Sequence, residues 1–232
     1  MSSNSEPTAD EQNRILWSQT LQRNRMRYPD EQVVRFLARN YGNPPRPAHR
    51  TGLDVGCGSG RHTATLVRFG FDATGIDYAP DVIASTGEEF DREGIPARFE
   101  TTDLSSLAGR GERFDCAIAW GVLFLRPVDA MCSDLAALRA VLKPGGLLLA
   151  NFHTEDSWMR GLGSEVAPAT WRLDERAHEY AGMTYTFLPP AVSRGLLVGA
   201  GFEVFEEERV EYWKKARQRL TWSVYYARVP AP

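Results

Sequence analysis

Apolar positions fall into two rhythms along the chain. Between residues 13 and 41 they recur at helical spacing and predict two helical pieces; in the second, Val33, Val34, Phe36, Leu37 and Tyr41 follow Pro29 as a starting residue. From Thr51 onward, short apolar runs alternate with amphipathic stretches. Strands are predicted over 53–55, 71–77, 97–102, 114–120 and 147–152, and helices over 61–70 and 80–93. A third helix carries the stripe Val128, Met131, Cys132, Leu135, Leu138 and Leu142 and ends at Pro144-Gly145-Gly146. The run 114–120 is apolar enough for burial on both faces. Residues 153–181 break the rhythm. A helix over 189–200, stopped by Gly201, and strands over 202–210 and 220–228 then resume it; Leu220, Trp222, Val224 and Tyr226 alternate on one face of the last. Repeated strand–helix–strand units imply a doubly wound, Rossmann-like α/β sheet, mostly parallel, with helices on both faces.

The same pattern divides the chain. Residues 1–12 are small, polar and aperiodic and are expected to be disordered. Residues 13–48 are expected to form an N-terminal helical lid, followed through a proline-rich connector by one domain over 49–232. Within that domain, 153–181 is an insertion on the substrate side. The 232 residues suit a single domain with an appendage.

Composition narrows the class. Net charge is −3, against the strongly basic footprint of a nucleic-acid binder, so no nucleic-acid partner is expected. Local basic clusters, such as Lys214, Lys215, Arg217 and Arg219, read as solvated faces. Cys57, Cys116 and Cys132 form no C-x-x-C pair, which argues against a disulfide framework and a zinc site; no metal is expected. With no secretory signal and no apolar run of membrane-spanning length, the expectation is a cytoplasmic protein, monomer or homodimer, without a membrane partner.

The chemistry concentrates at the ends of the predicted strands. Leu53-Asp54-Val55-Gly56-Cys57-Gly58-Ser59-Gly60 leads from a strand into a helix. Its alternate glycines let the backbone turn sharply and approach a ligand, and the helix beyond offers unpaired N–H groups. Asp77 ends the second strand, where a carboxylate can accept from both hydroxyls of an adenosine ribose and repel a 2′-phosphate; it also suits a cap for the following turn. Asp103 ends the third strand beside the same crevice. It can accept from an adenine amino group with Leu104 against the ring, or cap the turn that follows.

Those segments, with Gly75-Ile76-Asp77, Thr102-Asp103-Leu104, Phe114-Asp115-Cys116-Ala117 and Leu142-Lys143-Pro144-Gly145-Gly146, stand in one order over roughly 51–152. Together they resemble the class I S-adenosylmethionine-dependent methyltransferases. The resemblance implies a seven-stranded sheet with its last strand antiparallel. It places Gly56, Cys57, Gly58 and Gly60 along the methionine half of the cofactor, with Asp54 bracing the loop and facing the methionine amine through water. Asp77 would hold the ribose with Tyr78 against the adenosine, Asp103 and Leu104 would flank adenine, and Trp120 would lie near the methyl sulfonium. Tyr28, by likeness to N-terminal lids in similar enzymes, would close over the methionine carboxylate.

For the acceptor, His153 directly follows the fifth strand; the near-neutral pKa usual for histidine suits a general base. Trp158 and Trp171 in the insertion are expected either to wall a planar or apolar acceptor or to anchor the insertion to the sheet. The reading that follows is methyl transfer to an oxygen or nitrogen of a small molecule. Two alternatives share much of it: an NAD-dependent oxidoreductase, though the loop is G-x-G-x-G and not G-x-G-x-x-G, and a cofactor-binding regulator without transfer activity.

Overall fold

The structure, a computed structural model, describes residues 9–23, 25–42 and 49–231. Its strands are β1 (Arg50–Val55), β2 (Phe71–Asp77), β3 (Arg98–Thr101), β4 (Phe114–Ala119), β5 (Leu142–His153), β6 (Ser164–Ala167), β7 (Thr170–Arg172), β8 (Thr184–Thr186), β9 (Glu203–Lys214) and β10 (Gln218–Arg228). The helices are α1 (Ala9–Arg23), α2 (Glu31–Tyr41), α3 (Arg61–Arg68), α4 (Pro80–Glu93), α5 (Leu104–Gly109), α6 (Val128–Val141) and α7 (Pro190–Gly199). Seven strands form the main sheet in the order β3-β2-β1-β4-β5-β10-β9. Neighbours from β3 to β5 are parallel, and β10 runs antiparallel to both β5 and β9. The chain turns one way from β1 toward β2 and the other way toward β4, so a crevice opens at the carboxyl ends of the strands there.

The core sits on both faces of this sheet. On β4, Ala117 and Ala119 face one cluster with Leu135 and Leu138 of α6, while Cys116 and Ile118 face the other with Phe36, Leu37 and Leu66. This two-sided burial is why the strand is apolar throughout. Helix α2 buries Val33, Phe36, Leu37 and Tyr41, one face at helical spacing. It is therefore core, not lid, which corrects the expectation for 13–48. Of the two helices in that stretch, only α1 lies over the crevice. It starts at Ala9, inside the segment expected to be disordered, because tertiary contacts from Asn13 onward stabilise a helix that then extends backward through residues of good propensity. The rest of that segment, residues 1–8, and most of the connector, 43–48, lie outside the described residues.

Asn13 pins α1. Its Nδ2 donates to the Leu125 carbonyl (2.9 Å) and the Thr184 carbonyl (3.1 Å), and the Thr184 N–H donates to its Oδ1 (2.7 Å), all buried. Asn13→Ala leaves these backbone groups without partners. The expected cost is about 2 kcal/mol, read as a lower Tm and faster proteolysis within residues 9–30.

The insertion is more regular than its composition suggests. Strands β6, β7 and β8 pair into a small antiparallel sheet, joined to β5 where His153 bridges Phe187. Beneath it a third apolar cluster gathers Phe124, Met159, Tyr185, Phe187 and Leu220, among others.

Candidate active site

Between β1 and α3 the chain makes its tight loop. Gly56, Gly58 and Gly60 all take positive φ (65°, 52° and 76°), which only glycine adopts without strain. A Cβ on Gly56 would lie 2.8 Å from Val122 Cγ2. One on Gly60 would lie 2.6 Å from Phe90 Cε2, so that glycine is demanded by packing against α4. Asp54, 1% exposed, stands behind the loop and is not on the crevice wall. Its Oδ2 accepts from Thr63 Oγ1 (2.6 Å), tying β1 to α3. Burial pushes its carboxyl above the usual range. Cys57 does line the crevice, and burial pushes its thiol up, so it stays a neutral thiol.

The crevice has two lobes, of about 390 and 340 Å³. Gly56, Asp77 and Tyr78 border both, so the lobes meet at the end of β2. At this waist Asp77 accepts from the Gly58 N–H (3.2 Å) and the Ala79 N–H (3.0 Å), one on each oxygen. Burial pushes its carboxyl up, opposed by those two amides. A carboxylate has about four acceptor directions, so two remain after the amides are served. Asp103 and Leu104 border the smaller lobe. Asp103 also caps α5: its Oδ1 accepts from the Ser106 N–H (2.7 Å), which holds the carboxyl below the usual range.

The segment joining α1 to α2 latches onto the glycine loop, but not through Tyr28. That side chain is 85% exposed and borders neither lobe; only its carbonyl is used, accepting from Arg61 Nη1 (3.2 Å). The expectation that Tyr28 closes over the crevice is not met. The closing residues are Met26, whose carbonyl accepts from Ser59 Oγ, and Asp30. Asp30 Oδ2 lies 2.8 Å from Arg61 Nη2 and 3.3 Å from His62 Nε2. Burial opposes ionisation of Asp30, but His62 and Arg61 outweigh it and hold the carboxyl below the usual range. Trp120, one residue beyond β4, lines the larger lobe and meets the His62 ring edge-on at 6.5 Å.

His153 ends β5 on the wall of the larger lobe. Its Nδ1 lies 3.2 Å from the Thr221 carbonyl. A carbonyl can only accept, so Nδ1 carries the proton and Nε2 keeps the lone pair. The ring stands among Phe124 (4.5 Å between centroids), Trp222 (4.8 Å) and Tyr185 (5.6 Å). Burial there pushes the imidazole down to about 3, which replaces the expected near-neutral value. Two residues earlier, Asn151 lines the same lobe and accepts the Gly121 N–H on Oδ1 (2.7 Å).

Trp158 and Trp171 do not reach either lobe. Both pack on the third apolar cluster and anchor the insertion, the second of the two roles expected of them. Besides Trp120, the tryptophans that line the larger lobe are Trp17 of α1 and Trp222 of β10. Among the described residues no three His, Cys, Asp or Glu side chains gather as metal ligands, and no helix is long and apolar enough to cross a membrane.

Comparison with known proteins agrees with this architecture. The family model described as a methyltransferase domain matches residues 53–146. A ubiquinone biosynthesis O-methyltransferase of Methylobacterium sp. strain 4-46 is 32% identical over 149 residues, 64% of this chain. The chain spans 58% of that relative's length, and about half the length of others of the same description. A methyltransferase of Methanosarcina mazei superposes with a TM-score of 0.70 at 20% identity, over 84% of this chain and 98% of the other. Burkholderia thailandensis 1,6-didemethyltoxoflavin-N1-methyltransferase, solved with S-adenosylhomocysteine, superposes at 0.65 with 25% identity, over 99% and 93%. Residues 53–146 thus match a methyltransferase domain, and the chain shares the fold of solved methyltransferases.

The five segments that carried the resemblance divide by place. Three lie at the crevice. The other two lie at the opposite end of the sheet, where Asp115 Oδ2 accepts from the Thr51 N–H (2.8 Å) and from Lys143 Nζ (2.8 Å), joining the starts of β1, β4 and β5. Sequence reasoning missed Asn151, Asp30, Trp17 and Trp222 as site residues. A signal existed for the first: Asn151 and His153 are polar positions of one parity on an apolar strand end.

Proposed function

We propose that the chain transfers the methyl group of S-adenosylmethionine to an oxygen or nitrogen of a small-molecule acceptor. The observation that carries this reading is Asp77 at the waist of the crevice. It is a half-buried carboxylate, held by two amides, with acceptor capacity to spare where the two lobes meet. That capacity matches the two hydroxyls of a ribose. The adenine side then falls in the smaller lobe against Leu104 and Asp103, whose second oxygen is not used by the cap. Tyr78 borders the adenosine from the waist. The methionine side runs along Gly56, Cys57 and Gly58, with Trp120 beyond. Gly60 and Asp54 shape the loop from behind.

When bound, the donor supplies an electrophilic methyl on a sulfonium, which leaves as a neutral thioether after in-line displacement. The chain's own residues align the partners and exclude water. His153 Nε2 receives the proton that the acceptor sheds. The Thr221 carbonyl is its positioning group, since it fixes which ring nitrogen is basic.

Calorimetry with S-adenosylhomocysteine and NAD side by side tests the reading. The expected result is binding of the first and none of the second. Tight NAD binding without the homocysteine adduct would establish the oxidoreductase instead. Binding of S-adenosylhomocysteine with no label transferred from the methyl donor to any acceptor would establish a regulator without transfer activity.

A further inference from the structure

Past the place assigned to the donor, the larger lobe is walled by rings. Trp17, Phe124, Tyr185 and Trp222 all line it, and His153 lies among them. The four aromatic residues come from four separate stretches, namely α1, the turn at Leu123–Leu125, β8 and β10. Some polar capacity is already committed: the Asn151 oxygen accepts the Gly121 N–H, and the Tyr180 hydroxyl accepts from Lys214 Nζ (3.2 Å), while Arg14, Ser18 and Lys214 also line the lobe.

We propose that this end of the crevice takes a planar aromatic or heteroaromatic acceptor, laid against Trp222 and presenting a ring-bound O–H or N–H to Nε2 of His153. The inference rests on the methyltransferase reading of the crevice and names its substrate class. Three physical arguments support it. A flat ring meets such walls in offset-stacked or edge-on contact over its whole surface, which a puckered saturated ring does not. A sugar or an amino acid brings several hydroxyl or charged groups, and those laid against the four rings are desolvated without partners there. Finally, the buried imidazole is a weak base. A phenolic O–H is far more acidic than an aliphatic hydroxyl, so it asks the least of such a base as the proton leaves.

The test uses the full chain saturated with S-adenosylhomocysteine, and probe pairs that differ only in ring saturation: catechol against cis-1,2-cyclohexanediol, and 4-hydroxybenzoate against 4-hydroxycyclohexanecarboxylate. Binding is read by saturation-transfer NMR, and transfer by label from the methyl donor. The arene of each pair is expected to bind about tenfold more tightly than its saturated partner and to take the label. Equal or preferential use of the saturated members, or no arene bound, overturns the inference. Failure of S-adenosylhomocysteine itself to bind sinks the donor reading and this one together, so the two failures are distinguishable.

Trp222→Leu is expected to weaken arene binding by about tenfold, with S-adenosylhomocysteine affinity serving as the check on folding, and Trp222→Phe is expected to restore most of the loss. Should Trp222→Leu fail that check, Trp17→Leu replaces it with the same expectation. Arene affinity unchanged in a variant that still binds S-adenosylhomocysteine overturns the stacking assignment.

Discussion

Replacing His153 with glutamine is expected to lower kcat by about a hundredfold or more, while S-adenosylhomocysteine binds as tightly as before. Glutamine can still donate to the Thr221 carbonyl, so the local hydrogen bond survives while the basic lone pair is lost. Burial holds the wild-type imidazole at about 3, so the ring is neutral at any ordinary assay pH. The wild-type kcat should therefore show no histidine inflection between about pH 5 and 8. Normal turnover in the glutamine variant removes His153 from the mechanism, and a wild-type inflection near 6.5 that the variant lacks overturns the depressed imidazole value.

The same burial couples pH to stability. The unfolded chain takes up a proton on this imidazole near 6.5, whereas the folded chain does so only near about 3. Between those values the unfolded state binds more protons, so stability falls as pH drops through that window. Above 6.5 both states are neutral and the contribution no longer changes. Denaturation midpoints of the wild type and His153→Gln, compared across pH, isolate this slope from those of the other buried acids.

Asp77→Ala is expected to weaken S-adenosylhomocysteine binding by about 1–3 kcal/mol, roughly fivefold to a hundredfold or more. The ribose hydroxyls lose their acceptor, and the Gly58 and Ala79 amides lose theirs. Because Gly58 belongs to the loop assigned to the methionine side, the damage reaches both halves of the donor. Titration calorimetry measures it, and unchanged affinity would rule out the ribose assignment. Asp77→Asn retains one oxygen but turns an N–H₂ toward a backbone N–H, so it recovers only part of the loss.

The half of the crevice proposed for the donor was legible in the sequence because its requirements are local and backbone-driven. Gly56 and Gly58 are needed for their φ, and Asp77 and Asp103 sit where strands end, all in one run of the chain. The doubly wound, mostly parallel sheet followed from the alternation of short apolar runs and helices. The acceptor half was not legible, since its walls are brought together from α1, the insertion and β10. Composition marks a tryptophan but not its facing. Trp171 lies on β7, one strand removed from Tyr185 on β8, and so never meets the crevice. Trp222 does, because its strand is inserted between β5 and β9, opposite His153. Tyr28 failed for a related reason: its neighbours Met26 and Asp30 make the latch, which turns the phenol outward.

The Thr221 carbonyl that sets the tautomer of His153 lies 68 positions downstream of it. The two halves of the crevice are thus encoded apart: the proposed nucleoside contacts come from one compact cassette, while the opposing wall is pieced together from remote segments. Substitutions in those segments can redirect acceptor choice without disturbing the cassette. Swapping α1, the insertion and β10 as a set between relatives is accordingly the natural unit for retargeting this scaffold.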